Sequence, residues 1–500
     1  MTQTNTATQT KSLAKTLNRT VTRNKPRSSR YDVYRLGADP QCYVSTNSFE
    51  TRLNNNIMVI GGSGSGKTTG ISLPMLLHSK YTNPVAIFTK RTLMMQVARY
   101  LKKARHMNVT ILDISQPENS EAGYDPMKQC RNMADLRDLC RAIVYKDPNI
   151  GSTAKDPYWD ESACGVLECL MEYVLRDTQG KGGMADVLEL LDEFRFVPVD
   201  NQDGEMYYSD TVQGKISRWL PKLTHNTSVL GTWNTFTNLA NTTARCIVSS
   251  MRTPVDSVFT TDIRSFLKNG KQFEAEWLLQ KNTALFICMS PVSTAHRRFA
   301  TLLYSQLFKN LYELAERQDD GRLPHPVNII CDDFSTSPIQ GFPDMISIMR
   351  EKNISTTILL QSLSQLEHTY GSASAITVCN NCDRLVYLGS NDLSSADEIS
   401  RRADAPLLDV LNMPLGQEYF FERGRYPILT KSYDIFADAT YKEMLKVSDA
   451  VAKEEQEMLK VSKAAAKEEA EQKRQEEQAA REQEEDLEDF IADLGNIFEE

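Results

Sequence analysis

A short apolar strand running straight into a glycine-rich turn constrains this chain more than any other feature. Ile57-Met-Val-Ile60 is followed at once by Gly61-Gly-Ser-Gly-Ser-Gly66-Lys67-Thr68, a G-x4-G-K-[ST] pattern without a mismatch. Consecutive N–H groups in such a turn point inward and cradle phosphate oxygens at the start of a helix. Gly61, Gly62, Ser63, Gly64, Ser65, Gly66, Lys67, Thr68 and Thr69 therefore form the expected nucleotide loop. Lys67 is expected to reach the β- and γ-phosphates and Thr68 to ligate Mg2+, so ATP and Mg2+ are the expected ligands. A Gly/Ser-rich linker is the bland alternative; the strand ahead of the turn and an acidic motif downstream weigh against it. Pro74 falls inside the helix expected next, which predicts a short or kinked helix.

The downstream motif is Val327-Asn-Ile-Ile-Cys331-Asp332-Asp333, an apolar strand closing on paired carboxylates. Asp332 fits the role of holding Mg2+ opposite Thr68, and Asp333 falls where a general base or water-orienting acid would sit. Phe342–Lys352 reads as a helix, and Ser355–Leu360 as a strand that ends at Gln361. A polar residue in that place can sense a γ-phosphate. Arg350 precedes Gln361 by eleven residues. It can project toward a neighbouring subunit's nucleotide, although from spacing alone it reads as an exposed cation at a helix end.

Short apolar runs alternate with longer helical stretches from Asn56 onward, the pattern of parallel βαβ units. The expected strands are Ile57–Ile60, Val85–Thr89, Val109–Ile114, Ala284–Met289, Val327–Cys331, Ser355–Leu360, Leu385–Leu388 and Glu418–Phe421. The strand pattern lapses between Met127 and Ala240, where Ala134–Tyr145, Trp159–Arg176 and Ala185–Phe194 have helical periodicity. The expected organisation is a basic arm over 1–44 and an α/β nucleotide-binding domain built from 45–126 and 241–441. An inserted all-α domain would occupy 127–240 and an acidic helical tail 442–500. Residues 31–55 read as an irregular lead-in. Within the tail, residues 443–455 recur as 457–469, an offset of two heptads that presents the same helical face. An exposed helix with weak pairing is predicted there, followed by an acidic, amphipathic docking peptide over Leu487–Phe498.

A net charge of −9 argues against nucleic-acid handling only until it is divided along the chain. Lys11, Lys15, Arg19, Arg23, Lys25, Arg27 and Arg30 meet no acid in the first 30 residues, whereas 443–500 carries 19 acidic against 8 basic residues. The acidity thus sits in the tail. The arm reads equally as a solubilising leader or as a contact for phosphates or an acidic partner. Ten cysteines without paired spacing and no apolar leader fit reduced thiols in the cytoplasm. Cys379-Asn-Asn-Cys382 is a lone CxxC and reads as buried thiols, since a structural zinc needs four ligands. No run of 18 apolar residues is present, so no membrane span is expected.

Together these segments resemble the type IV secretion coupling proteins, the TraG/TraD-type conjugation ATPases, in the branch found in Gram-positive mobile elements. The likeness rests on Val59–Thr68 with Leu73-Pro74, Asp156–Ala163, Asn328–Phe334, Met349–Ile354, Leu360–Leu366, Tyr370-Gly371, Asn381–Asp383 and Leu388-Gly389, and covers roughly residues 45–435. It implies a RecA-like P-loop domain with an inserted all-α domain, assembled as a homo-hexameric ring around DNA. It also implies that Arg350 acts in trans, that Gln361 is the sensor, that Lys67 and Thr68 meet the phosphates and that Asp332 meets the metal. The inserted helices would face the cytoplasm and meet the DNA-processing complex.

Three departures stand out. Asp333 replaces the family's usual Glu with a carboxylate one methylene shorter, which points to slow hydrolysis. Phe88-Thr-Lys-Arg-Thr92 stands where the family usually has Asp-Pro-Lys-Gly-Glu and keeps only Lys90. Most members also begin with transmembrane helices. A cytoplasmic member would sit at the inner face of the membrane through a separate membrane or channel protein, docked through residues 1–55.

The leading expectation is a DNA-translocating ATPase that couples a relaxase-bound, single-stranded DNA to a secretion channel, with a relaxase or relaxosome accessory protein as partner. The alternatives are an ATP-binding recruitment adaptor with little hydrolysis and a DNA pump for segregation or packaging on the same fold.

Overall fold

Strands buried on both faces have no polar side to show, and the apolar runs of this chain assemble accordingly. In the computed structural model, which describes residues 31–145, 157–194, 211–332, 334, 338–458 and 460–461, nine strands form one sheet. They are β3 (Ile57–Ile60), β4 (Asn83–Phe88), β5 (Asn108–Asp113), β6 (Thr283–Cys288), β7 (Val327–Cys331), β8 (Ile354–Leu360), β9 (Arg384–Tyr387), β10 (Gln417–Glu422) and β11 (Ile428–Lys431). Their order is β11-β10-β9-β3-β8-β7-β4-β6-β5. From β9 to β5 every neighbouring pair is parallel, and β10 and β11 close one edge antiparallel. Every residue of β3, β4, β6, β7 and β9 is buried.

Period-two alternation divides the core. Met58 and Ile60 point to one face, which is covered by the 23-residue helix Thr294–Glu316, by Phe342–Ile348 and by the insert. Ile57 and Val59 point to the other, beneath Leu73–His78 and Arg91–Arg105. β9 carries the one charged residue of these five strands: Arg384 lies 3.0 Å from Glu422 on β10, and both are all but inaccessible to solvent.

Residues 31–55, expected to be irregular, contain an antiparallel hairpin of β1 (Val33–Arg35) and β2 (Tyr43–Ser45). Asp32, just before β1, explains its docking. Its buried carboxylate accepts the backbone N–H groups of Lys80, Tyr81 and Thr82, so an acid that looks like loop composition clamps the hairpin to the chain after Leu73–His78.

Between β5 and β6 the described elements are almost all helical. They are Met133–Val144, Tyr158–Asp177, Met184–Glu193, Val212–Leu223, Thr227–Thr237, Asn241–Val258 and Thr261–Leu267, followed by a 3-10 turn at Ala275–Leu279. Helix thus continues past residue 240. The two ends of this insert meet at Gly123, which pairs in parallel with Gln272. A methyl group there would come within 2.3 Å of the Phe266 carbonyl, so only glycine fits the stem.

Residues 439–458 are helical. The exposed tail helix expected from sequence is instead packed at its start, with Met444 and Ser448 buried and Glu443 and Glu455 bonded to Tyr100 and Arg99. The docking peptide expected over Leu487–Phe498 lies outside the described residues, as does the basic arm of the first thirty.

Candidate nucleotide site

The carboxyl ends of parallel strands are where an α/β sheet exposes turns and helix N-termini, and the candidate residues gather there. β3 delivers the chain to Gly61, whose N–H donates to the Leu360 carbonyl at the end of β8 (3.0 Å). The Gly62 N–H donates to Gly389 beyond β9 (2.7 Å), so both strands flanking β3 brace the loop. Gly64 and Gly66 adopt φ of +76° and +94°, the left-handed region that turns successive N–H groups to one side. The Ser63 and Gly64 tip is exposed, and Lys67 is buried, donating to the carbonyls of Gly61 (2.6 Å) and Gly62 (3.1 Å). Ser65 holds a buried hydroxyl with no hydrogen-bond partner. Thr69 donates back to the Gly66 carbonyl at 3.3 Å.

The predicted difficulty at Pro74 has a structural answer. Thr68–Ser72 is a π-helical turn, in which the Leu73 N–H bonds the Thr68 carbonyl five residues back, and Leu73–His78 then follows as a short α-helix with Pro74 in its first turn. The wider turn moves the carbonyl that the proline ring would strike, so the helix passes Pro74 without a break.

Across the sheet edge, Thr68 Oγ1 donates to Asp332 Oδ2 at 2.8 Å. The glycine loop and the acid that closes β7 are therefore within one hydrogen bond, although 264 residues separate them. β8 lies between β3 and β7 and ends level with β3, Leu360 opposite Ile60, so Gln361 stands beside Gly61. Asp333 falls outside the described residues.

Arg350 is not part of this cluster. It sits on the 3-10 turn Met349–Lys352 that leads into β8 and donates to the Arg52 carbonyl at 2.9 Å, at the amino end of the sheet. The seven residues of β8 separate it from Gln361 by roughly 23 Å at about 3.3 Å per residue. Among the residues that depart from the family pattern after β4, Arg91 pairs with the fully buried Asp113 at 2.7 Å. The Cys379 and Cys382 thiols are pushed up by burial, Cys379 to about 11 and Cys382 well above the ordinary range.

Sequence reading missed two features. Gly389, at φ +90°, carries the carbonyl that holds Gly62, and the Ser390 hydroxyl donates to the Gln361 carbonyl at 3.2 Å. The signal was the Leu388-Gly389 pair at a strand end. The second feature is a basic, aromatic helix face in the insert. Lys215, Arg218, Trp219 and Lys222 recur at i, i+3, i+4 and i+7 of Val212–Leu223, so they share the outer face, while Ile216 and Leu220 are buried. Trp219 is 46% exposed, with Lys222 Nζ 4.6 Å from its ring centroid. Its signal was an absence: residues 211–255 contain five cations and no acid.

The sequence profile of a family described as type IV secretory system conjugative DNA transfer matches residues 4–403. Among curated protein sequences, none matches. In three dimensions the chain is similar to the bacterial conjugative coupling protein TrwBdeltaN70. The unbound monoclinic form is 15% identical, with a TM-score of 0.58 over 84% of this chain and 92% of that one. The trigonal form in complex with sulphate is 16% identical, with a TM-score of 0.55 over 76% and 85%. The plasmid coupling protein TrwB in complex with the non-hydrolysable ATP analogue ADPNP is 15% identical, with a TM-score of 0.54 over the same shares. At such identities the likeness is one of fold: a RecA-like P-loop domain carrying an all-α domain. Among the described residues no helix is long and apolar enough to cross a membrane.

Proposed function

This chain belongs to the type IV secretory system conjugative DNA transfer family, and on that premise we propose that it is an ATP-driven motor that passes a relaxase-bound DNA strand to a secretion channel. The contact of Thr68 with Asp332 at 2.8 Å carries the reading, because it sets a phosphate loop against a metal-binding carboxylate.

The residues fit a magnesium nucleotide. Thr68 and Asp332 offer the hard oxygen ligands that Mg2+ prefers. Bound Mg2+ would be held by Thr68 and Asp332 and would neutralise charge on the β- and γ-phosphate oxygens. The loop N–H groups and Lys67 bind the phosphates. Asp333 orients the attacking water, and Gln361, braced by Ser390, reports the γ-phosphate. Arg350, at the far end of the sheet from its own loop, acts on the nucleotide of a neighbouring copy in a homo-hexameric ring. The Val212–Leu223 face supports DNA handling, since cations neutralise phosphates and an exposed indole stacks on unpaired bases. A membrane or channel partner holds the motor at the inner face of the membrane.

The deciding measurement is ATP turnover with and without single- and double-stranded DNA. Stimulation by DNA that Lys67→Ala abolishes is expected. An absence of DNA binding even at low salt would overturn the motor reading. A second reading, an ATP-binding recruitment adaptor with little hydrolysis, is favoured by Asp333 in place of the family's usual Glu. A large gain in turnover for Asp333→Glu would show that the wild-type chain is catalytically blunted, as this reading requires; rapid DNA-stimulated turnover by the wild-type chain would overturn it.

A further inference from the structure

The start of the tail is seated on the nucleotide-binding domain by a small set of side chains. Met444 is fully buried and Ser448 nearly so, with Tyr441, Leu445 and Val447 packed beside them on the apolar face above Arg91–Arg105. Three acids complete the seat. Glu443 accepts from Tyr100 Oη at 3.2 Å, Glu455 pairs with Arg99 at 2.6 Å, and Glu454 approaches Lys103 at 3.4 Å.

The same side chains occur again fourteen residues on. Residues 457–469 repeat 443–455 at all but two of 13 positions. Glu457, Met458, Leu459, Val461, Ser462, Glu468 and Glu469 are the counterparts of seven of the side chains that make the seat. The two differences fall at Asp449, which is exposed and becomes Lys463, and at the half-buried Val451, which becomes Ala465. Where the second copy is described, its apolar face has no cover: Met458 and Val461 are each 70% exposed. Fourteen residues at about 100° each fall only about 40° short of four full turns, so a slide by one repeat presents the same face to the same groove.

We propose that the groove on Arg91–Arg105 is a two-register socket, and that residues 457–469 of the same chain take the place of 443–455 in it. The exchange conserves the contacts side chain for side chain. What distinguishes the registers is the slack: Asp438 is anchored by His78 and Tyr433, so in the second register residues 439–456 must close as a loop. The first register is therefore the more populated. Sliding to the second draws the chain beyond the socket inward by roughly 21 Å if it is helical, at about 1.5 Å per residue. The tail is then a tether of two lengths carrying the acidic Leu487–Phe498 stretch, a property independent of the ATPase reading.

Substitution separates this from a single-register seat. Hydrogen-exchange protection of residues 91–105 in the full-length chain is the readout. Met444→Ser alone is expected to lose little protection and Met458→Ser none, whereas the two together lose several-fold more than the sum of the singles. Loss by Met444→Ser equal to that of the double variant would overturn the proposal. A second measurement tracks the segment itself. In a Cys246→Ser background, which removes the exposed native thiol, a short bismaleimide is expected to join Lys103→Cys to Glu468→Cys within one chain. A link formed only between two copies, or none, would refute exchange within the chain.

Discussion

Gly61→Ala tests the nucleotide loop more sharply than removal of a charged side chain, because the structure assigns it a purely steric cost. Gly61 does not lie in the left-handed region, so its backbone accepts alanine. The added methyl would come within 2.4 Å of Ser65 Oγ, 3.0 Å of Leu388 Cβ and 3.2 Å of Ser65 Cβ. Rotation of Ser65 relieves the first contact. It cannot relieve the other two, since those carbons are fixed to their backbones, so the loop must shift by a few tenths of an ångström. Overpacking of this kind costs about 1–3 kcal/mol. Charged to the geometry that binds phosphate, that is roughly a five- to hundredfold loss of affinity at about 1.4 kcal/mol per tenfold. Equilibrium titration with a fluorescent ATP analogue and Mg2+, alongside a thermal melt, measures it. Ser65→Gly in the same chain removes two of the three contacts and is expected to restore part of the affinity. Affinity equal to wild type for Gly61→Ala, or no recovery in the double variant, would refute the argument. Gly64→Ala is the control: nothing lies within 4 Å of its would-be methyl, but φ is +76°, so its penalty is torsional, about 1–2 kcal/mol, and insensitive to Ser65.

Three further outcomes follow from the same structure. Arg350→Ala is expected to lower turnover by about 10³-fold or more while each chain still binds ATP normally; in mixtures with Lys67→Ala, some activity should return, because each variant lacks a different half of the shared site. Arg218→Ala with Lys222→Ala should weaken DNA binding without changing ATP affinity and reduce the slope of log affinity against log salt by about 2, one for each lost phosphate contact. Glu418 is buried in β10, and burial pushes its carboxyl up to about 8 against a weaker opposing pull from the Ser432 hydroxyl. The folded chain therefore keeps that proton where the unfolded chain has released it, so stability falls as pH rises from the ordinary glutamate range to about 8. Glu418→Gln should remove that fall, raising the melting temperature at pH 8 and leaving it unchanged at pH 4.

What the sequence made legible, and what it hid, follows from where the determining forces act. The eight expected strands are all present because strands covered on both faces are predominantly apolar, a local signature. The order of those strands is not local. β8 enters the sheet between β3 and β7, and nothing in its seven residues states that it will do so. The hairpin of β1 and β2 was hidden because Asp32 makes it dock, through N–H groups nearly fifty residues away. The fate of Arg350 and Gln361 was nearer the surface of the sequence than it looked. From spacing alone Arg350 reads as an exposed cation at a helix end, but a strand of seven residues lies between it and Gln361, and a strand is a rod. Two residues flanking a strand of that length must stand at opposite edges of the sheet, roughly 23 Å apart. A glutamine at the carboxyl edge beside the phosphate loop thus requires the arginine to face away from it. An arginine so placed meets a nucleotide only if another copy of the chain brings one to it, and a chain held monomeric would have to lose, together, its turnover and its sensitivity to Arg350→Ala.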